Sequence, residues 1–343
     1  MVATTLVCAG DVMINRPDAH SMLRHVAEIF KGADVAYCNL EGPMCDVGEK
    51  HPGKAGISLH LRSTPQAANA LADAGIDVVS LANNHTMDYG IAGLDQTISL
   101  LDGVRIAHAG AGHDLAAARQ PALLDVNGLR IALLSYSSVC VAPFAATKTT
   151  PGLAMVRIKT SYAANLRLFQ QPGSPMLTKT VGEPEDVAML LDDVKAAKLG
   201  ADIVIVAWHW GVSERWGKLA DYQRELGHAV IDAGARAIIG HHAHMLLGME
   251  FYHGCPIIYS LGNFAFDLDH PYFRRESAIV IFDVSRDGVA NIRVIPVLIN
   301  DQHEPIPVRA DGDGRKVAWF LEYLSEELNT KFVNRGEHVE LLV

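Results

Sequence analysis

Six residues able to bind a hard or borderline metal stand at the ends of apolar runs in this chain: Asp11, Glu41, Asn84, His209, His242 and His244. Carboxylates, an amide oxygen and imidazoles, with no thiolate, suit Mn²⁺, Fe²⁺ or Zn²⁺ better than a cysteine-rich structural zinc site. Six donors are too many for one open catalytic ion. They suit two divalent ions sharing a carboxylate, a pair about 3.5–4 Å apart that binds the attacking and leaving oxygens of a displacement. GHHAH at 240–244 carries the most weight, because His242 and His244, one residue apart at a strand end, are seldom needed for packing. His241 alternates to the other side and reads as a supporting or core histidine. Taken singly, the others weigh less. An aspartate after a strand, such as Asp11, is more often a turn or cap residue, and ANNH at 82–85 could be an Asn-rich turn. Glu41 follows an apolar strand, and a carboxylate buried there needs a compensating cation, which two metals would provide.

To meet at one place, these residues need elements that end together. Short β-branched runs recur along the chain: TTLVCAGDVM, DVAYCNLEG, IDVVSLANNH, RIALLSYSS, DIVIVAWHWG, ARAIIGHHAH and PIIYSLGNF. Helical patterns lie between them, at about 21–30, 64–74, 90–101, 185–199 and 220–233. This alternation predicts an α/β fold of βα units whose sheets are covered by helices. In such sheets ligands gather at the carboxyl ends of the strands. Repeated "aGaDv" phrases at 32–35, 75–78, 200–203 and 234–237 mark helix C-caps feeding the next strand. Residues 141–184 lose periodicity and accumulate Pro, Gly, Thr and Gln, as an insertion or lid would. The strands near 277–284 and 289–297 are expected to be antiparallel, and 315–328 to form a closing helix. No boundary divides the chain, so residues 1–343 read as a single domain.

Six segments in order, GDVM (10–13), NLEGPM (39–44), ANNHTMDYG (82–90), HWG (209–211), GHHAHMLLGMEFY (240–252) and YSLGNFAFD (259–267), resemble the CapA family. That family is named for poly-γ-glutamate capsule synthesis and is related to calcineurin-like metallophosphoesterases. The resemblance runs from about residue 8 to residue 267. It implies a four-layer αββα sandwich, metallophosphoesterase-like, with a dinuclear metal centre between loops. Carried over residue by residue, it implies that Glu41 bridges the metals and that Asn84, His209 and His242 complete one of them. His244 joins Asp11 and Glu41 on the other. His85, oriented by Asp88, then sits near the leaving oxygen as acid or transition-state donor. Three positions depart from the wider phosphoesterase pattern. The usual DxH opening is Asp11-Val12-Met13, the bridging carboxylate is Glu, and Thr86 follows the Asn-His pair.

Arg274 and Arg275, after the last motif, are candidates to clamp an anionic substrate. Asn263 is placed with them, either against substrate or hydrogen-bonded to a ligand residue. Within the insertion, Arg157, Lys159, Tyr162 and Arg167 are further recognition candidates. The expected function is hydrolysis by a metal-bound hydroxide, whose pKa two cations bring toward about 7, on a phosphoester of a small anionic molecule. Two alternatives stand beside it. One is a γ-glutamyl or amide-bond hydrolase or transferase linked to poly-γ-glutamate; the other is a non-catalytic accessory protein of polymer synthesis.

The chain holds 29 basic and 39 acidic residues, a net charge of −10, which argues against a nucleic-acid or anionic-membrane partner. Its five cysteines are scattered without a CxxC pair, so a disulfide framework is not expected and a reducing compartment fits. The N-terminal MVATTLVCAGDV has no charged stretch and runs straight into a strand pattern, so no signal peptide is expected. With no apolar run approaching the ~18 residues of a spanning helix, the expected location is cytoplasmic. Capsule proteins of the family imply an envelope location and an anchor; neither is visible here, which favours a metabolic enzyme. Oligomeric state is not written in these motifs.

Overall fold

The β-branched runs form two sheets packed face to face, in a computed structural model that describes residues 3–54, 56, 59–213, 217–271 and 273–342. Four strands of the larger, ten-stranded sheet, Thr4–Met13, Val35–Leu40, Val78–Ser80 and Ala107–Ala109, run parallel side by side. On its other flank Glu276–Ser285 and Gly288–Ile299 form the expected antiparallel pair. The six-stranded sheet sets Leu129–Ser137, Ile203–His209, Ala237–His241 and Cys255–Ile258 parallel.

Alternation along the strands explains the layers. Leu6 and Cys8 meet Ile203, Ile205 and Ile239 between the sheets, whereas Val7, Ala9 and Cys38 turn outward onto Phe30, Leu71 and Leu94. In the second sheet Val204, Val206 and Trp208 turn outward onto Leu190, Val194 and Val230 of two helices. Strands buried on both faces read as continuous apolar runs, and helices on both outer faces complete a four-layer αββα sandwich. Cys8 and Cys38 are small core residues whose thiols burial pushes well above their ordinary range. Each large apolar side chain buried this way contributes roughly 1.5–3 kcal/mol, which lets the sandwich hold several charged groups in its interior.

Local departures from the sequence expectations have physical causes. The 21–30 helix is broken into a 3-10 turn, Ala19–Leu23, and a five-residue helix, Ala27–Lys31. Of the four glycine phrases, only Gly75 (φ 93°) and Gly234 (φ 126°) close helices with positive φ, accepting a conformation that costs a side-chain-bearing residue. Gly32 stays right-handed, and Gly200 is the last residue of helix Pro184–Gly200. The run PIIYSLGNF is not one strand. Cys255–Ile258 belongs to the six-stranded sheet, and the chain crosses at 259–262 to place Asn263–Phe266 beside Thr4–Met13 in the other. A glycine from each sheet grips that crossing: a Cβ at Gly10 would lie 2.1 Å from the Gly262 carbonyl oxygen, and one at Gly240 2.2 Å from that of Tyr259.

The 141–184 insertion divides in two. Its first part packs inward through Phe144, Leu153 and Val156, while Ile158–Ala163 and Leu177–Gly182 form a separate two-stranded hairpin. Among the described residues no helix is long and apolar enough to cross a membrane.

Candidate metal centre

Both sheets deliver their donors to one gap. Asp11 sits near the end of Thr4–Met13, in register with Asn39 and Asn263 on its two neighbours. Glu41 directly follows Val35–Leu40, and Asn84 and His85 lie in the loop after Val78–Ser80. From the opposite sheet, His209 ends Ile203–His209, and His242 and His244 follow Ala237–His241. These two histidines hold positive φ, 91° and 54°, uncommon for residues with a side chain and a mark of local strain at a site.

Glu41 is the centre of the cluster. Its Oε1 lies 3.7 Å from His209 Nε2, 3.7 Å from His244 Nε2 and 4.0 Å from His85 Nε2. Neither carboxylate oxygen has a hydrogen-bond partner among the described residues, although both are buried. Ligand atoms of Asp11, Glu41 and His244 all lie within 4.8 Å of one another. His209 Nε2 is 2.7 Å from Asn84 Oδ1 and 3.2 Å from His242 Nδ1, which brings the remaining three candidates together. All six sequence candidates therefore line one gap.

The electrostatics follow from burial. Desolvation, reinforced by the Asp11 charge, pushes the Glu41 carboxyl well above its ordinary range. Desolvation also raises Asp11, but His241, His244 and Asn39 together outweigh it and Asp11 stays low. Burial holds His209 well below its usual value, takes His242 down to about 3 and lowers His244. Neutral imidazoles with free lone pairs, around a carboxylate with no donor, are the form in which these groups bind a cation. The donor set fits a divalent metal.

Further groups fix the donors. His241 Nδ1 lies 2.8 Å from Asp11 Oδ1, outside the usual donor direction, and its Nε2 is 2.7 Å from the Tyr37 hydroxyl. Asn39 donates to Asp11 at 2.9 Å and accepts from the Ser80 hydroxyl at 2.8 Å. Asn263 Oδ1 lies 2.8 Å from His244 Nδ1, so this residue supports a candidate ligand. Arg275 pairs with Asp301, the Arg274 main chain donates to the His244 carbonyl at 3.3 Å, and both arginines line a small cavity with Asn263. Asp88 Oδ2 lies 2.6 Å from His85 Nδ1 and accepts the Leu61 N–H at 2.7 Å.

Lys54, which nothing in the sequence singles out, completes this group. Only 4% exposed, its ammonium lies 2.5 Å from Asp88 Oδ1 and 2.9 Å from His85 Nδ1. Burial lowers His85 to about 4; Asp88 opposes that shift and Lys54 adds to it. With Asp88 already balanced by an ammonium, His85 is held neutral, with Nε2 turned toward Glu41.

Residues 5–268 match the family model described as "Bacterial capsule synthesis protein PGA_cap". The chain is 32% identical over 329 residues to the PGA biosynthesis protein CapA of Bacillus subtilis, covering 93% of this chain and 77% of that protein. It is 31% identical over 318 residues to a Mycobacterium tuberculosis protein named "Probable polyglutamine synthesis accessory protein", covering 89% of this chain and 76% of the relative. Among solved structures, it is similar to the calcineurin-like phosphoesterase YfkN from Bacillus subtilis at 12% identity, covering 95% of this chain and 98% of that one. The TM-score there is 0.39, too loose a likeness to speak of chemistry. The match over most of its length makes this chain a member of the PGA_cap family of bacterial capsule synthesis proteins.

Proposed function

We propose that the chain is a metal-dependent hydrolase acting on a phosphoester of a small anionic molecule. Asp11, Glu41, Asn84, His209, His242 and His244 would hold one or two divalent ions. Glu41 carries this reading: a buried carboxylate with no hydrogen bond among the described residues, ringed by imidazole nitrogens at 3.7 to 4.0 Å. That arrangement costs stability by itself and suits a cation. A bound divalent ion would supply charge neutralisation and make water acidic enough to attack near neutral pH.

The chain's own residues do the remaining work. Asp88 accepts the hydrogen bond of the His85 Nδ1–H, which leaves the Nε2 lone pair facing the gap. Held neutral at pH 7, Nε2 accepts a proton from the attacking water and returns it to the leaving oxygen. Lys54 prevents Asp88 from drawing His85 into the charged form. A phosphoester is the substrate class favoured by the resemblance of the six motifs to a family related to metallophosphoesterases.

A second reading keeps the site and changes the substrate. The relatives named for PGA and polyglutamine synthesis favour a γ-glutamyl amide, or an accessory role without turnover. Metal content per chain, followed by a panel of nitrophenyl phosphoesters and γ-glutamyl peptides with Mn²⁺ restored, separates the readings. Phosphoester turnover that disappears in His209→Ala and His242→Ala supports the first. Cleavage of γ-glutamyl peptides alone moves the substrate to the second. Protein that binds no metal, with ligand variants indistinguishable from the parent, sinks the metal centre altogether.

A further inference from the structure

Six of the thirteen exposed large apolar side chains among the described residues gather on one element. Tyr162, Leu166, Phe169, Met176, Leu177 and Val181 all stand on the hairpin Ile158–Ala163/Leu177–Gly182 and its loop, with Leu166 81% and Phe169 85% exposed. No residue of 157–182 is buried. The hairpin touches the body at its base, where the Thr180 N–H donates to Asp221 and the Thr180 hydroxyl accepts from the Tyr222 N–H, each at 3.3 Å. A lone two-stranded hairpin is marginal in water and needs a surface to pack on.

Its register shows which face is free. Pairing of Val181 with Lys159, Lys179 with Ser161 and Leu177 with Ala163 puts these six on one side. Charge follows the same segregation: residues 157–182 hold four basic residues and no acidic one, in a chain of net charge −10. Arg157 and Lys159 are met at the base by Asp186 and Glu183. Arg167 lies in the loop between Leu166 and Phe169, and Lys179 on the free face.

A second apolar patch has the opposite character. Trp319, Tyr323 and Leu342, about half-exposed, line a cavity of about 500 Å³ beside helix Arg315–Ser325. Trp319 and Tyr323 stack at 5.2 Å between ring centres. Phe332 lines the same cavity with Glu322 and Glu326, against the single cation Lys331.

We propose that the hairpin is an association arm whose loop, Leu166 and Phe169 on either side of Arg167, seats in the Trp319–Tyr323 cavity of a second copy of this chain. Projecting meets concave, apolar meets apolar, and basic meets acidic. A lipid surface would match the hairpin but leave the acidic cavity unexplained. Because the contact joins two different patches, it closes as a reciprocal dimer or grows as a chain.

The test is mass, which is independent of any activity. Sedimentation velocity of the full chain should give at least twice the 37.1 kDa of one copy, rising with concentration. Leu166→Asp/Phe169→Asp, and separately Glu322→Lys/Glu326→Lys, should each weaken association about tenfold or more, with unchanged circular dichroism. Mixing these two variants should restore association, since the intact hairpin of one meets the intact cavity of the other. A single-copy mass at every concentration overturns the proposal. So do variants that keep the parent's mass, or a monomer that pellets with phosphatidylglycerol vesicles through Leu166 and Phe169.

Discussion

Glu41 and Lys54 are both buried charges, yet they call for opposite outcomes on substitution. Glu41 has no donor among the described residues, so Glu41→Gln should raise the stability of chelator-treated protein by about 1–2 kcal/mol, read as a higher Tm. The same variant should lose the Tm gain that added Mn²⁺ gives the parent; an unchanged gain would remove Glu41 from the metal site. Lys54 is fully engaged, and Lys54→Met leaves Asp88 buried against fewer donors. Urea unfolding should then show a loss of about 3–5 kcal/mol. A loss below 1 kcal/mol, on the order of a surface pair, would mean the ion pair is not formed as drawn. That the six candidates meet in one gap was legible from their recurrence at strand ends, with GHHAH the strongest signal, although Asp11 and the ANNH segment taken singly read as turn residues. Tyr37 and Asn39 were legible in principle too, since 37, 39 and 41 share one side of a strand. Lys54 was not, because GEKHPGKAG has no periodicity and only the folded chain brings that loop to Asp88.

At the scale of elements, the helix Asp221–Ala233 is tied to strand Met249–Tyr252 through Glu250. Burial pushes that carboxyl up, but the Tyr259 hydroxyl, Arg224 and His228 outweigh it and hold it below the usual range. A depressed carboxyl stabilises the fold above its unfolded pKa of about 4.3, and that contribution is lost as pH falls through the folded value. Glu250→Gln should therefore shrink the parent's loss of urea stability between neutral pH and the acid range below about pH 4.3; an unchanged acid limb would assign it elsewhere. Gly75→Ala places a side chain at φ 93° and should cost about 1 kcal/mol by the same measurement. Most strands and the long helices were readable from periodicity. The crossing inside PIIYSLGNF was not, because an apolar run carries no mark of where it changes sheets.

For the whole molecule, three candidate donors come from each sheet, so a bound ion joins the two halves of the sandwich. A divalent ion at a hundred times its Kd would add about 2.7 kcal/mol to the folded state. Differential scanning calorimetry with and without a chelator should show the Tm falling on metal removal. Equal transitions would leave the gap without an ion. The α/β class was readable because helix and strand patterns alternate, and the four layers only through the resemblance to a known family; the hairpin's separation from the body was not, since its composition reads as any polar insertion. The grip of Gly10 and Gly240 on the 259–262 crossing has a consequence for inheritance. Each stands immediately before a residue of the site, yet neither offers an atom to a metal or a substrate. A screen of random variants would find both positions as intolerant as the donors themselves, and a search for catalytic residues by intolerance alone would count two that do no chemistry.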